Sequence, residues 1–566
     1  MPHAGAATVW ATGAAIEQKR VALASVSWLV LGRTAVSEAL GRRAVLHGMG
    51  CAACLAAGRL LLPASDARAQ AAFERLDQAE RLRLADMAFD LARGAGASHA
   101  DLRICGYRSQ DLTAREGRLD NIQSGLSTGF GLRVLIDAAW GFAAGEIVDE
   151  RSIREAVARA SENAAAIRRL GAVPVELEAL QAHRDDWAMP MRTDPFEISD
   201  SEKIDLLLEV TETAKAAGAS YCSAHLALVR EEKFFANSVG SRINQTRVRV
   251  APGFTVTAVD TSTGRFAFRS SLAAPRAAGW EYVAGLRLAE EASEAAPQAR
   301  EKLTAKRVVP GRYDLVIDGT NLWLTIHESV GHATELDRAL GWEADLAGTT
   351  FATPDQRGKL QFGSPLMNVD AERIQEGGLS TVGYDDDGVK CSDTGFAIIR
   401  DGVFQNYQMA IGQAHLIGQA RSNGCAYADG AAAFPLQRMP NISLRPNPQA
   451  SSVDDLIGGV ERGIYVAGNG SWSIDQQRRN FQFGGQLIYE IKNGRRGPML
   501  VHFAYQAENQ AFWNAMDGVG DRASYYLGGT FTCGKGEPGQ AAPVSHGAPA
   551  ARFRQINVLN TSRDDL

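Results

Sequence analysis

Two imidazoles and a carboxylate fall within six residues of the segment Leu324-Thr-Ile-His327-Glu328-Ser-Val-Gly331-His332-Ala-Thr-Glu335-Leu-Asp337. Neutral imidazoles are good zinc ligands, and a glutamate beside the first of them can take a proton from a water that a metal has acidified. The spacing is unusual. In His-Glu-x-x-His the rings stand at i and i+4, nearly on one helical face. Here they stand at i and i+5, roughly 140° apart on a regular helix of 3.6 residues per turn. One metal is within reach of both only if the helix is distorted between them. Gly331, just before His332, is the expected place, as a π-bulge or a C-terminal unwinding.

A catalytic zinc takes three protein ligands and leaves a position open. The candidates for the third are the remaining cysteines and histidines. Cys533 stands out in Gly528-Gly-Thr-Phe-Thr-Cys533-Gly534-Lys535-Gly536, where flanking glycines suit a ligand at a loop tip and Lys535 is placed to favour a thiolate. Cys425 is the competing thiol, and His415 and His502 are the competing imidazoles.

The elements that must position these residues are legible in outline. Tyr313 to Ile317 reads as a buried strand, and Leu322-Trp-Leu-Thr-Ile is apolar, so the polar cluster is presented from inside a core. Upstream, Leu82, Ala85, Phe89 and Ala92 repeat at helical spacing until Gly94 to Gly96. Alternating strands follow from Ala100 to Ala144, then an alanine-rich helix from Arg151 to Arg169. Ser199-x-x-Glu202 opens another helix, to about Ala216, and strands run from Tyr221 to Asp260. Both helices lead into strands through Ala-Gly-Ala-Ser (Ala95 to Ser98, Ala217 to Ser220), which fits either a duplicated unit or coincidence. Leu286 to Ala296 is helical, with Pro297 ending or kinking it. Beyond a boundary at Val308-Val-Pro-Gly311 the chain is strand-rich, with tight hairpins predicted at Arg400-Asp-Gly-Val and Lys492-Asn-Gly-Arg. Asp385 to Asp387 lack the spacing of a calcium loop and read as a turn. These patterns predict an α+β protein. An N-terminal domain of antiparallel strands and helices covers 71–305, with a possible split near 185–200. A C-terminal antiparallel, barrel-like domain covers 306–566 and carries the histidine helix.

The chain resembles the TldD/PmbA family of metalloproteases, on its metal-binding TldD side. His327-Glu328-x-x-x-His332 with Glu335 and Asp337, and the later Cys533-Gly534-Lys535, carry the resemblance. Gly129-Phe-Gly-Leu-Arg133 through Trp140-Gly-Phe142, Tyr384-Asp-Asp-Asp-Gly388 and Pro435-Leu-Gln-Arg438-Met-Pro-Asn441 add to it, so that it spans about Ala79 to Gln540. The resemblance implies zinc held by His327, His332 and Cys533, with Glu328 as general base. It also implies a site enclosed by a dimer, either a homodimer or a heterodimer with a metal-free TldE/PmbA-like sister subunit, and unfolded peptides as substrates. One departure is the longer path from Lys535 to Gly539-Gln540. On this reading Glu328 delivers its proton to the leaving amine, Glu335 and Asp337 orient imidazole N–H groups, and the peptide adds as a strand at a sheet edge. Two alternatives stand beside it: a peptide-binding or assembly subunit with a structural metal, and a hydrolase of non-peptide amides.

Composition is that of an ordinary globular protein, with 45% hydrophobic and 22% charged residues and a net charge of −6. It gives no nucleic-acid footprint, and no apolar run is long enough to span a bilayer. No Walker loop or dinucleotide fingerprint occurs. Residues 1–70 read as a targeting segment: Arg42-Arg43, a weakly apolar Ala/Gly stretch, and an Ala67-x-Ala69 cleavage site. The expectation is twin-arginine export to the periplasm, with a cytoplasmic protein as the alternative. Cleavage would remove Cys51 and Cys54 and leave five scattered cysteines, which is not a disulfide framework.

Overall fold

The computed structural model describes residues 76–447 and 451–562, so the export reading of residues 1–70 lies outside it. The first half is built on one sheet. Its elements are α1 (Gln78–Gly94), β1 (His99–Arg115), β2 (Arg118–Ile136), β3 (Ala139–Gly145), α2 (Glu150–Arg169), β4 (Arg184–Ala188), α3 (Asp200–Ala216), β5 (Tyr221–Asn237), β6 (Arg242–Asp260) and β7 (Arg265–Ser270). The strand order is β3-β2-β1-β5-β6, with β4 and β7 both on β6, and only β4 runs parallel to its neighbour. Local chemistry sets the helix starts. Asp77, Asp149 and Ser199 are N-caps whose side chains accept main-chain N–H groups of Glu80, Ser152 and Glu202.

The Ala-Gly-Ala-Ser coincidence has a structural counterpart. Both copies link a 17-residue helix to a 17-residue strand that pairs with a 19-residue strand. Gly96 and Gly218 hold φ of 87° and 92° at the two helix exits, where an L side chain is strained. The two units join through β1 and β5 at the centre of the sheet.

Helix α4 (Trp280–Gly285) is short, and α5 (Leu288–Thr304) continues past Pro297, which therefore does not end it. Its buried stripe of Ala292, Ala295, Ala296 and Ala299 continues on both sides of the proline and packs against α3 and β6, which offsets one missing hydrogen bond.

The second half is strand-rich. Strands β9 (Gly311–Ile317), β16 (Arg462–Ile474), β17 (Asn480–Lys492), β19 (Phe503–Glu508) and β23 (Ala551–Asn560) follow one another around a ring, and β16 closes it on β17. This five-strand barrel is extended by β8 (Lys306–Arg307), β18 (Arg495–Val501) and β20 (Met516–Val519). A second sheet has the order β12-β11-β10-β15-β22-β21: Val403–Phe404, Phe396–Arg400, Val369–Glu372, Asn441–Leu444, Gln540–Ala548 and Tyr526–Lys535. A two-stranded ladder, β13 (Ala426–Tyr427) and β14 (Leu436–Gln437), stands apart. Both predicted hairpins form, with φ of 49° and 77° at Asp401 and Gly402 and of 51° and 72° at Asn493 and Gly494, the left-handed pair of a type I′ turn. The fold is therefore the mixed α+β arrangement predicted, with a barrel in the strand-rich part. No helix among the described residues is long and apolar enough to cross a membrane.

Helix α6 (Gly319–Ile326) leaves the end of β9, capped by Asp318, and packs between the barrel strand β16 and strands β21 and β22 of the second sheet. It delivers the histidines.

Candidate metal centre

The distortion predicted near Gly331 is a complete π-helical turn, His327–Gly331, followed by a 3₁₀ turn, His332–Thr334. The main-chain N–H of His332 donates to the carbonyl of His327, the i to i+5 bond of a π turn. Residues five apart thereby share a face, and the two ring centroids are 4.8 Å apart. The widened turn is held by side chains from elsewhere. Asn509 Nδ2 donates to the Ser329 carbonyl at 2.7 Å, Gln408 Nε2 to the Gly331 carbonyl at 2.6 Å, and Trp513 Nε1 to Ser329 Oγ at 3.0 Å. Gly331 itself keeps ordinary helical angles. Its missing side chain matters for another reason: a Cβ there would stand 2.8 Å from Met439 Sδ.

Cys533 is not at a loop tip. It lies on β21, opposite Ala542 of β22, beside a bulge between Thr530 and Cys533. The glycines before it serve close packing: Gly528 lies where a Cβ would run into the Trp323 ring of α6. Strand and helix together bring one donor atom each from His327, His332 and Cys533 to within 4.8 Å of one another, and none of the three residues is more than 6% exposed. Cys533 Sγ is 3.7 Å from His332 Nε2, against about 3.6 Å for the N···S edge of a tetrahedron with standard zinc bond lengths. Cys425 is buried elsewhere against Asn423, and His415 and His502 are exposed; among the described residues the group has these three donors.

The electrostatics suit a soft divalent cation. Burial presses His332 down to about 3, with Glu335 opposing, and burial also holds His327 well below the ordinary imidazole range, so both rings keep free lone pairs. Burial pushes the Cys533 thiol up to about 11, against the pull of Arg438, so a cation must displace its proton. Lys535 pulls in the same direction as Arg438, more weakly. Its Nζ donates to Gln437 Oε1 at 2.7 Å and pairs with Asp337 at 2.7 Å and Glu335 at 3.2 Å. Glu335 Oε2 accepts from His332 Nδ1 at 2.8 Å and from Arg338 Nε at 3.1 Å, whereas Asp337 goes to Lys535 instead of to a ring. Burial raises Glu335, but Lys535 and then His332 outweigh it and hold the carboxyl well below its usual range.

Glu328 lies buried beside the group, with Oε1 3.9 Å from His327 Nε2 and Oε2 accepting from Arg478 Nη1 at 2.9 Å. Burial lifts it to about 7 although Arg478 pulls it down. Arg478, from the β16–β17 turn with φ of 57°, was not legible in sequence. Neither was His546, whose Nε2 is 2.7 Å from His327 Nδ1. His546 stands an even four residues beyond Ala542, the partner of Cys533, and so shares a face of β22 with it, a relation that only the strand pairing reveals.

Three models of one family match the chain: the PmbA/TldA metallopeptidase C-terminal domain over 310–560, domain 1 over 100–164, and the central domain over 193–301. A metalloprotease of Methanothermobacter thermautotrophicus is 27% identical over 464 residues, 82% of this chain and 96% of the relative. A zinc metalloprotease TldD homolog of Saccharolobus solfataricus is 24% identical over 251 residues, 44% of this chain and 52% of the relative. Among solved structures, a Thermotoga maritima protein described as a modulator of a DNA gyrase superposes with a TM-score of 0.66 at 16% identity, covering 85% of this chain and all of that one. TldE from Thermococcus kodakarensis gives 0.63 at 14% identity, covering 84% and 99%. At these identities the superpositions establish a shared fold.

Proposed function

The chain belongs to the PmbA/TldD metallopeptidase family, and on that premise we propose that it is a zinc-dependent peptidase acting on unfolded peptides or small proteins. The observation that carries this is the meeting of His327, His332 and Cys533, with an oxygen of Glu328 turned toward them. His327, His332 and Cys533 would hold the zinc, which would supply Lewis acidity for a scissile carbonyl and for a water near neutral pH. The protein does the rest. Glu328, lifted to about 7, takes the proton of the attacking water on Oε1 and returns it to the leaving amine. Arg478 holds Oε2, so the carboxylate cannot turn away. Glu335 fixes the His332 ring from behind. Strand β21 is the outermost of its sheet and carries Cys533, which supports an extended peptide adding beside it through main-chain hydrogen bonds, with little demand on sequence.

A structural metal in a non-catalytic assembly subunit is the competing reading. Three donors in place of four, with the Glu328 carboxylate beside them, favour catalysis. For assembly, the likeness to a TldE supports a dimer, with a second copy or with a TldE-like sister subunit. For location, Arg42-Arg43 and Ala67-Arg-Ala69 support periplasmic export; the N-terminal sequence of the mature protein tests it, and an intact start would count against it.

Zinc per chain and cleavage of an unfolded polypeptide are the tests. About one zinc per wild-type chain, lost or loosened in Cys533→Ala, is expected. Glu328→Ala should keep the zinc and lose cleavage by about 10²–10⁴-fold. Turnover retained in Glu328→Ala would remove the general base from the mechanism.

A further inference from the structure

We propose that His546 is a positioning residue for the centre: it selects the tautomer of His327 and fixes the direction in which that ring offers its lone pair. The inference rests on the zinc reading above. In a neutral imidazole one nitrogen donates and the other accepts. His327 Nδ1 and His546 Nε2 are 2.7 Å apart, so one proton lies between two buried rings. Two arrangements exist. If His546 holds that proton, His327 must carry its own on Nε2, the nitrogen that stands beside Glu328, and that nitrogen is closed to a metal. If His327 holds it, Nε2 is free, and His546 carries its proton on Nδ1, a buried atom without a hydrogen-bond partner, so this arrangement is favoured once a cation takes Nε2. Only the second is compatible with ligation, so the acceptor on His546 decides whether His327 is a ligand.

The other ring is backed differently. His332 Nδ1 faces the carboxylate of Glu335, leaving Nε2 toward Cys533. That carboxylate is already shared with Lys535 and Arg338. A second carboxylate behind His327 would put another negative charge into the buried centre with no cation assigned to it, whereas a neutral imidazole orients the ring at no charge. The backbone keeps His546 in place. It stands on β22 between Ile442 of β15 and Gly528 of β21, inside the sheet and fully buried. His327 is thus aimed from the same hairpin that carries Cys533.

The test compares His546→Leu, which fills space but cannot accept, with His546→Gln, whose amide oxygen can accept from Nδ1–H. Zinc affinity is measured by competition with a chromophoric chelator, and ligand geometry by the visible absorption of the cobalt-substituted protein. Loss of about 10–100-fold in affinity with shifted cobalt bands is expected in His546→Leu, and affinity within about threefold of wild type in His546→Gln. Wild-type affinity in a folded His546→Leu would overturn the proposal. So would a folded His546→Gln that loses as much as His546→Leu, since packing and not the acceptor would then matter. If His546→Leu fails to fold, His546→Gln decides alone: retained affinity supports the role, and a tenfold loss or more overturns it. A wild type that takes up no zinc would bring down the zinc reading and this inference together, whereas a variant effect measured against a zinc-binding wild type bears on His546 only.

Discussion

Cys533 is the one ligand that must give up a proton to bind a cation near neutral pH. Burial has already kept His327 and His332 unprotonated, while it holds the Cys533 thiol up to about 11. Glu328 is ionised above about 7. At pH 8.5, between those two values, zinc uptake should release about two protons per chain, one from the Cys533 thiol and one from the acidified water, and Cys533→Ala about one fewer. Calorimetry in buffers of different ionisation enthalpy measures this, and equal release from wild type and Cys533→Ala would mean that the thiol does not give up its proton to the cation. Arg478 sets a second expectation. Burial raises Glu328 and the Arg478 guanidinium is the larger of two charges that lower it, so in Arg478→Met only Arg338 still opposes burial. The acid limb of the cleavage profile should then move to higher pH; an unmoved limb would detach Arg478 from the carboxylate. The histidine pair and the glutamate were legible because residue types and short spacings are local, whereas Cys533, 201 residues from His332, was singled out among competing donors by the family resemblance. Arg478 and His546 were not legible, because each meets its partner across 150 and 219 residues, and nothing near an arginine in a turn or a histidine in a strand records that meeting.

At the scale of elements the π turn is held by fit. Gly331 faces Met439 and Gly528 faces Trp323. Gly331→Ala meets the flexible end of a thioether and should cost about 1–3 kcal/mol. Gly528→Ala meets an indole wedged between α6 and β21, and should cost at least as much while shifting the histidines relative to Cys533. Chemical denaturation with zinc affinity on the same variants checks both; unchanged affinity in Gly528→Ala would show that α6 does not transmit the strain. The Ser199 cap and both Asp/Asn-Gly hairpins followed from sequence because their causes lie within four residues. The passage of α5 through Pro297 did not, since its alanine stripe is rewarded by α3 and β6, which are distant in sequence.

Across the whole molecule, charges that look like surface residues in the sequence are buried where the first sheet meets the second half. Arg133 pairs with Asp101 and Asp387 at 2.8 and 2.7 Å; Lys233 bonds Asp386 and lies 3.0 Å from Glu231; Glu231 also takes Arg247 and Arg249 at 2.9 and 3.1 Å. Asp385 to Asp387 do form the predicted turn, but the turn is an anchor. Asp386→Ala leaves Lys233 short of a partner in a buried site and should cost about 3–5 kcal/mol, read from denaturant midpoints; a cost below about 1 kcal/mol would mean that the network closes around the gap. Asp385 is pushed up to about 8 by burial and then by Asp387. A raised carboxyl stabilises the fold fully below its unfolded value, and that stability drains away as pH rises through 8. The loss of stability between pH 5 and 9 should therefore be smaller in Asp385→Asn than in wild type.

The π turn also makes chain length a chemical variable. Five residues span it, so His327 and His332 face one way because of a count and not only because of their identity. Deleting Val330 would restore an ordinary α turn with the rings at i and i+4, still on one side. Glu335 and Arg338 would keep their offsets from His332. Deleting Ala333 instead would leave the π turn intact and rotate Glu335, Asp337 and Arg338 by roughly 100° off His332 and Lys535, so that one missing residue would take apart the scaffold behind a pair of rings that themselves still matched.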